Sequence, residues 1–307
     1  MTSQNFMKNK PYIALSISII SVSSAAIFIR LISADALSIA FYRLLFTFLL
    51  ITPFVFFSKK TRSELLKIST KNFLIMVLIG LILAFHFAFW ISSLDHTSVA
   101  SSVILVTAHP ILVGPVSHFL LKEKLSFLNS FGIIISVTGV IILVFGNSDP
   151  FSGIQGSTFY GNILAILGGV MAGLYILGGR KLRKNISVSS YAFVVYAFGA
   201  MFLFVICLFF ESELVNINLH DFQLIFLMAL ISGILGHTLY NWSLEHIRAS
   251  VASVFLLGEP VGSTFFAAII PSISEIPTIY TVIGGGIILS GIYLTTRKKK
   301  EEIISKI

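Results

Sequence analysis

Polar and ionisable side chains stand at helical spacings inside stretches of this sequence that are otherwise apolar. His86 and Trp90 are four residues apart, as are His237 and Asn241, and Tyr240 lies beside Asn241. Residues four apart share one face of a helix, so each set offers hydrogen-bonding and aromatic groups in one direction. Such a face suits recognition of a small molecule. The alternative is that each histidine hydrogen-bonds a neighbouring helix and only holds the bundle together.

Two further polar residues each precede a proline in an apolar stretch. His109 precedes Pro110, and Glu259 precedes Pro260. A proline inside a helix removes one backbone hydrogen bond, so each is expected to free the carbonyl four residues before it and to bend or unwind its helix. If these apolar stretches cross a membrane, a backbone carbonyl without its hydrogen bond is tolerated only where protein or cavity water covers it. The sequence therefore predicts that His109 and Glu259 line a central, water-accessible site.

Two charged side chains add chemistry to this site. Glu259 is the only acidic residue well inside an apolar run, and desolvation disfavours its charged form. Three roles stay open for it: a coupled-proton carrier, a partner for a substrate ammonium group, and a packing residue that hydrogen-bonds across helices. The first interpretation of Arg43 is a structural anchor that snorkels to the outer interface, with Asp35 as its partner. The alternative is a ligand for a substrate carboxylate.

The elements that must position these residues are apolar helices. Hydrophobic residues make up 56% of the chain and charged residues 11%, with a mean hydropathy of +0.96, whereas a globular domain is about one quarter charged. Each bilayer span needs about 20 apolar residues. The apolar runs predict ten spans, at residues 12–32, 37–57, 73–94, 98–121, 127–146, 159–179, 189–210, 222–244, 249–270 and 279–296. The predicted fold class is an all-α integral membrane protein with ten transmembrane helices.

The net charge of +8 indicates topology rather than a nucleic-acid partner. Nearly all Lys and Arg residues cluster in segments that share one side of the membrane if the N-terminus is cytoplasmic. The loops "SADALS" and "NSDPFSGIQGST" on the other side contain none. Because cytoplasmic loops carry an excess of cations, we predict that both termini are cytoplasmic.

The sequence contains an internal repeat. The segment "SLDHTSVASSVILVTAHP" at 93–110 aligns without a gap to "SLEHIRASVASVFLLGEP" at 243–260. Each half therefore holds five helices, and because five is odd the second half enters the membrane from the opposite side. Inverted repeats are typical of secondary transporters, which rock about a site near the midplane. The predicted units are a first repeat at 1–147, an external linker at 148–158, and a second repeat at 159–307 with a basic cytoplasmic tail.

Glycines follow the same repeat and predict close helix packing. Gly132 and Gly139 in the fifth apolar run correspond to Gly284 and Gly291 in the tenth. Their seven-residue spacing forms a stripe that lets two helices approach closely. No glycine-rich segment ends in the Gly-Lys-Ser/Thr of a phosphate loop, so an ATPase is not expected.

Three long motifs carry a resemblance to a known family: "FYRLLFTFLL" at 41–50, "FHFAFWISSLDHTSVASSVILVTAHP" at 85–110 and "GHTLYNWSLEHIRASVASVFLLGEPV" at 236–261. With the "LLKEKLS" turn and the glycine-rich fifth and tenth runs, the sequence resembles the EamA type of the drug/metabolite transporter superfamily over nearly its whole length. The resemblance implies transport of small molecules, usually export of amino acids or other metabolites, without ATP. The sequence departs from the family pattern at "SISE" after the ninth run and at His109.

These observations predict a secondary transporter, with export as its expected direction, that works by alternating access in the plasma membrane. The alternatives are a passive channel or facilitator and, less favoured, an intramembrane enzyme. The candidate substrate-binding residues are Arg43, His86, Trp90, His109, His237, Tyr240, Asn241 and Glu259, with helix breaks at Pro110 and Pro260. They suit a small zwitterion or aromatic metabolite. Beside substrate and lipid, the partners considered are a proton and a second copy of the chain, and no cofactor or metal is expected.

Overall fold

The computed structural model describes residues 3–97, 99–123, 125–147, 157–270 and 279–296, and all regular structure in these ranges is helical. Most of the predicted external linker, the "SISE" turn and the predicted basic tail lie outside the described residues. The helices of the first half are α1 (Ser3–Ser23), α2 (Ala25–Leu31), α3 (Ala36–Phe57), α4 (Lys59–Lys67), α5 (Thr70–Ser93), α6 (Val99–Thr107), α7 (Pro110–Leu120) and α8 (Phe127–Asn147).

The second half has a corresponding series of helical segments. They are α9 (Ser157–Arg183), α10 (Val188–Phe209), α11 (Leu219–Met228), a π-helix (Ala229–Thr238), α12 (Leu239–Ser243), α13 (Ala249–Phe255), a 3-10 turn (Leu256–Gly258), α14 (Glu259–Ile269) and α15 (Ile279–Thr296). The π-helix carries His237, and Thr238 Oγ1 donates to Gly233 O at 3.1 Å. Sequence reasoning did not anticipate this widened turn.

Eight helical stretches of the described chain are long and apolar enough to cross a membrane. They are Asn9–Leu31, Ala36–Phe57, Thr70–Ser93, Ser102–Leu120, Phe159–Arg183, Val188–Phe209, Leu219–Ser243 and Ala249–Phe266. Shorter apolar helices, Phe127–Ile142 and Val282–Thr295, occupy the places of the predicted fifth and tenth spans. Exposed aromatic side chains such as Phe57, at 88%, and Phe119, at 80%, need lipid rather than water around them. The all-helical membrane fold is confirmed, and the count of ten spans stays a prediction.

Both predicted helix breaks are present. α6 ends before His109 and α7 begins at Pro110, while the 3-10 turn leads into α14, which begins with Glu259 and Pro260. One expected detail is wrong: the carbonyl of Leu256 is not freed, because it accepts the Glu259 N–H in a 3-10 hydrogen bond. The shorter 3-10 connection replaces the bond that the proline removes.

At the other break, helix α9 covers the carbonyl that Pro110 should free. A Cβ added to Gly169 would lie only 2.8 Å from Val106 O. Only a residue without a side chain lets the α9 backbone pass this close. Gly169 of α9 therefore shields the broken backbone of the α6–α7 connection.

Helices α8 and α15 pack along a seam of glycines. A Cβ on Gly132 would lie 2.8 Å from Gly291 O, and one on Gly139 would lie 2.7 Å from Gly284 O. Gly132, the first of these glycines on α8, thus meets Gly291, the second on α15, and Gly139 meets Gly284. The predicted role of the glycines in close helix packing is confirmed, and the structure adds that α8 and α15 are each other's partners.

Candidate substrate site

A cavity lies among the helices of the bundle, lined by side chains from both halves of the chain. It is lined by seven of the eight predicted site residues, which come from six different helical segments and breaks: Arg43, His86, Trp90, His109, His237, Tyr240 and Glu259. Apolar side chains complete the wall, from α1 (Val22), α2 (Ala25), α6 (Val106), α9 (Ala172, Ile176) and the 3-10 turn (Leu256). Residues remote in the sequence therefore converge on one space.

Arg43 is buried in this cavity with an unpaired guanidinium. Its exposure is 1%, and neither Nη1 nor Nη2 has a hydrogen-bond partner among the described residues. Its guanidinium carbon lies 4.4 Å from the ring centroid of Phe87 and 5.6 Å from that of Trp90, within range of cation–π attraction. The anchor interpretation is wrong, because the side chain turns inward. Asp35 instead caps its own helix by accepting the N–H groups of Leu37 and Ser38.

Glu259 brings the opposite charge to the same cavity. It stands at the first position of α14 and is 9% exposed. Its carboxylate makes no hydrogen bond or ion pair with any described residue, yet it interacts electrostatically with Arg43 across the cavity. The guanidinium of Arg43 and the carboxyl group of Glu259 are therefore not bonded to each other, and both line the same cavity.

His86 and Trp90 form a stacked pair on one wall. Their rings are nearly parallel, with centroids 6.0 Å apart and an angle of 8°. His86 Nδ1 lies 2.9 Å from Gly168 O, and since a carbonyl only accepts, Nδ1 carries the hydrogen. In the neutral ring this leaves Nε2 as an acceptor. Trp90 Nε1 is a donor without a partner among the described residues.

The remaining polar residues surround the cavity from the helix breaks and the π-helix. His109 Nδ1 and the Tyr240 hydroxyl are buried, and within the described chain neither has a hydrogen-bond partner. The His237 ring meets Phe87 edge-on at 5.3 Å and Tyr175 at 6.5 Å. The π-helix that holds His237 is a form often found at functional sites.

Asn241 does not line the cavity. Its Nδ2 donates to the hydroxyls of Tyr175 and Tyr196, and to His237 O at 2.8 Å. These partners hold the amide in the interface between the helices, and a substrate-binding role of Asn241 stays a prediction. Asn241 instead fixes Tyr175, a cavity residue that sequence reasoning missed. A polar aromatic residue inside the apolar run of α9 was the available signal.

Thr107 and the apolar wall were also missed by sequence reasoning. Thr107 hydrogen-bonds back to Val103 O and Ile104 O in its own helix, so nothing in its spacing sets it apart from packing threonines. Apolar wall residues such as Val22 and Ala172 look like any other residue of an apolar run. Their part in the cavity follows only from three-dimensional packing.

The unpaired groups define what the cavity can bind. Buried polar atoms nearly always have hydrogen-bond partners, and leaving one without costs about 1–3 kcal/mol. The Nη atoms of Arg43 and Trp90 Nε1 can only donate, whereas the carboxylate of Glu259 accepts when ionised. Within the described ranges there is no cluster of three or more His, Cys, Asp or Glu that could hold a metal ion. The cavity therefore presents donors without partners from Arg43 and Trp90 together with the carboxyl group of Glu259.

One solved structure shares this fold, and two curated relatives are described as uncharacterized transporters. One crystal structure, 17% identical, superposes with a TM-score of 0.73 and covers 93% of this chain and 96% of its own, so it shares the fold. A protein of Archaeoglobus fulgidus described as an uncharacterized transporter is 25% identical over 305 residues, 96% of this chain and 100% of its own length. The uncharacterized transporter YetK of Bacillus subtilis is 28% identical over 214 residues, 67% of this chain and 62% of its own.

The family model described as "EamA-like transporter family" matches residues 9–145 and residues 159–297. The two ranges together cover nearly the whole chain, including every residue that lines the cavity. With its apolar helices, the protein is a multi-pass protein of the plasma membrane. It belongs to the EamA-like transporter family.

Proposed function

We propose that this protein is a secondary transporter that exports a small zwitterion with an apolar or aromatic body. The observation that carries the proposal is the unpaired guanidinium of Arg43, buried in a cavity that Glu259 also lines. Pairing a buried arginine with an acid, or replacing it with an apolar residue, would make the folded protein more stable. A ligand that supplies both an anionic and a cationic group explains why the two charges stay apart.

The carboxylate of the substrate binds Arg43. A guanidinium matches a carboxylate with two parallel hydrogen bonds, which gives both strength and orientation. The ammonium group binds the Glu259 carboxylate on the other side of the cavity. The apolar body lies against Trp90 and Tyr175, both of which line the wall, and aromatic contacts of this kind contribute about 0.5–1.5 kcal/mol beyond the area that they bury.

Alternating access by two inverted repeats is the proposed mechanism. The cross-paired contacts between α8 and α15 support it, since Gly132 meets Gly291 as Gly139 meets Gly284. A twofold axis between equivalent helices would produce such an exchange. The two family-model matches and the two proline breaks at equivalent positions agree with the same symmetry. In transporters built this way, the two halves rock about a fixed central site.

Glu259 has a second candidate role as the carrier of a coupled proton. Its burial without a hydrogen-bond partner in the described chain favours this role beside ammonium binding. Glu259→Gln separates the two, because the amide has the same shape and stays neutral. Coupling predicts that exchange of substrate for substrate survives while gradient-driven accumulation fails. Ammonium binding predicts that both fail for amines.

Reconstitution into liposomes tests the transporter proposal against a channel or facilitator. A thermal-shift screen of the purified protein against amino acids, bases, vitamins and quaternary amines first identifies a ligand. We expect its flux to saturate and to be stimulated by unlabelled substrate on the opposite side. Flux that rises linearly with concentration and shows no such stimulation contradicts alternating access.

A further inference from the structure

Four charged side chains join the helices at one end of the bundle, and none of them lines the cavity. We call them the clasp: Glu123, Arg180, Arg183 and Glu245. Glu123 follows α7, the two arginines stand in the last turn of α9, and Glu245 lies between α12 and α13. This is the end that carries most of the Lys and Arg residues, here named the cationic end and predicted to be cytoplasmic.

Glu123 is the centre of the clasp. Its exposure is 7%, and its two carboxylate oxygens have different partners. Oε1 accepts from Arg180 Nε at 2.6 Å, and Oε2 accepts the backbone N–H of Ala249 at 2.9 Å. Ala249 is the first residue of α13, and the side chain of the preceding Arg248 makes no capping bond to this helix. A residue from the first half of the chain therefore satisfies an open N–H at the start of a helix in the second half.

The two arginines hold the segment between α12 and α13. Arg180 Nη1 donates to Leu244 O at 2.6 Å and to Glu245 O at 2.9 Å. Arg183, 1% exposed, donates from Nε to Asn241 O at 3.0 Å and from Nη2 to a Glu245 carboxylate oxygen at 2.7 Å. Together with the Ala249 contact, these bonds connect the ends of α7 and α9 to the ends of α12 and α13.

The helices that the clasp connects belong to two packed groups, each of which forms part of the cavity wall. In one group α9 packs closely on α5, where Gly168 lies against Trp90. In the other group the π-helix packs closely on α1, where Gly236 lies against Val22. The cavity is lined from both groups. Separating the groups at the cationic end therefore requires the bonds of the clasp to break.

We propose that the clasp is the gate at the cationic end of the cavity, with Glu123 as the positioning residue that keeps it shut. The internal repeat supplies a comparison, because Arg30 stands 150 positions before Arg180 at the equivalent site of the first half. Arg30 lies at the opposite end, is exposed, and forms no ion pair with a described residue. Arg180 thus bonds facing helices at the cationic end, whereas its equivalent Arg30 forms no ion pair with a described residue at the opposite end. This difference is expected of a carrier that is closed at its cationic end.

Side-specific labelling of a cavity cysteine tests this gate without any knowledge of the substrate. The native Cys207, which is buried, is first replaced by Ala. Ala172→Cys then reports on the cavity wall, and Lys60→Cys on exposed α4 identifies the cationic face of each vesicle preparation. An impermeant charged thiol reagent is applied to either face. Because no substrate is used, a failure here is separate from a failure of the proposed function.

Glu123→Gln should raise the labelling rate of the Ala172→Cys protein from the cationic face about tenfold, which corresponds to the loss of one charge-assisted hydrogen bond. Labelling from the opposite face should not rise, because opening one end does not open the other. General loosening of the fold would raise both rates. An unchanged rate from the cationic face, or an equal rise from both faces, overturns the proposal.

Two further variants decide the case if Glu123→Gln does not fold. Glu245→Gln removes a partner whose side chain is 43% exposed, so the fold should tolerate it and labelling from the cationic face should rise about threefold. Asp221→Asn is the matched control, a buried carboxylate at the opposite end that accepts the N–H of Ser33. It should not raise labelling from the cationic face. Equal effects of Glu245→Gln and Asp221→Asn on that face contradict the gate.

Discussion

The cavity and the clasp each contain buried arginine and glutamate, but they treat those charges differently. In the clasp, Arg180 and Arg183 donate to carboxylates and to backbone carbonyls of a facing segment. In the cavity, the Nη atoms of Arg43 meet no acceptor of the described chain, and Glu259 stands apart from it. A buried charge that the protein itself satisfies holds the fold together. One that the protein leaves without a hydrogen-bond partner is where we propose that a ligand binds, because burying such a charge is costly.

The largest effect on stability should follow from breaking the clasp, where the buried charges are paired. Arg180→Met leaves Glu123 buried without its cation, and removing one partner of a buried ion pair costs about 3–5 kcal/mol. We expect a clear fall in the melting temperature of the purified protein in detergent. A variant as stable as the parent would show that the clasp does not contribute to the closed fold.

Arg43→Met, in the cavity, should weaken ligand binding without lowering stability. Stability should be kept or increased, because a buried unpaired charge is replaced by an apolar side chain of similar length. Zwitterion binding should weaken at least tenfold, since hydrogen bonds to charged groups contribute about 1.5–3 kcal/mol. Melting temperature and equilibrium binding of the same preparation measure both. Arg30→Met, at an exposed arginine, is the control and should change neither.

The α8–α15 seam extends the comparison to a region that contains close-packed glycines and no charged side-chain pair among the described residues. Gly139→Ala places a Cβ 2.7 Å from Gly284 O, so the helices must move apart at a cost of about 1–3 kcal/mol. Gly286→Ala, on α15, the other helix of the seam, meets nothing within 4 Å and should stabilise α15 by about 0.5–1 kcal/mol. Melting curves of the two variants should therefore shift in opposite directions. Shifts in the same direction contradict the close approach.

The smallest effect concerns Glu64, another satisfied carboxylate at the cationic end. Partial burial favours its protonated form, but hydrogen bonds from the Ser187 N–H and the hydroxyls of Ser187 and Ser190, with Arg183 nearby, outweigh burial and lower the pKa of this carboxyl. A lowered pKa gives stability above the unfolded value, about 4.3, that is lost as the pH falls through the folded value. We expect melting temperature to decline below about pH 4.3 less steeply in Glu64→Gln than in the parent. Identical pH profiles of the two proteins contradict the role of these bonds.

Much of the architecture could be predicted from sequence because membrane depth restricts what a chain can do. Long apolar runs must be helices there, and a proline must interrupt one. For the same reason His109 and Glu259 were correctly placed at the breaks that line the cavity. Costly polar residues in apolar runs are informative wherever few other residues are polar.

The rest depends on choices that three-dimensional packing decides. Asn241 has the spacing of a cavity residue, but the hydroxyls of Tyr175 and Tyr196 hold it in the wall. Arg43 was expected to snorkel outward, yet the faces of Phe87 and Trp90 hold it inside. Sequence spacing gives the face of a helix, whereas the partner that occupies that face comes from a helix far away in the chain.

Binding of three related probes tests most directly whether the cavity recognises a zwitterion through Arg43 and Glu259. The probes are phenylalanine, its amide, which lacks the carboxylate, and 3-phenylpropionate, which lacks the ammonium group. Isothermal titration of the purified protein should show that phenylalanine binds at least tenfold more tightly than either analogue. In Arg43→Met the advantage over the amide should disappear. Equal binding of all three probes, or phenylalanine binding unchanged by Arg43→Met, contradicts the account.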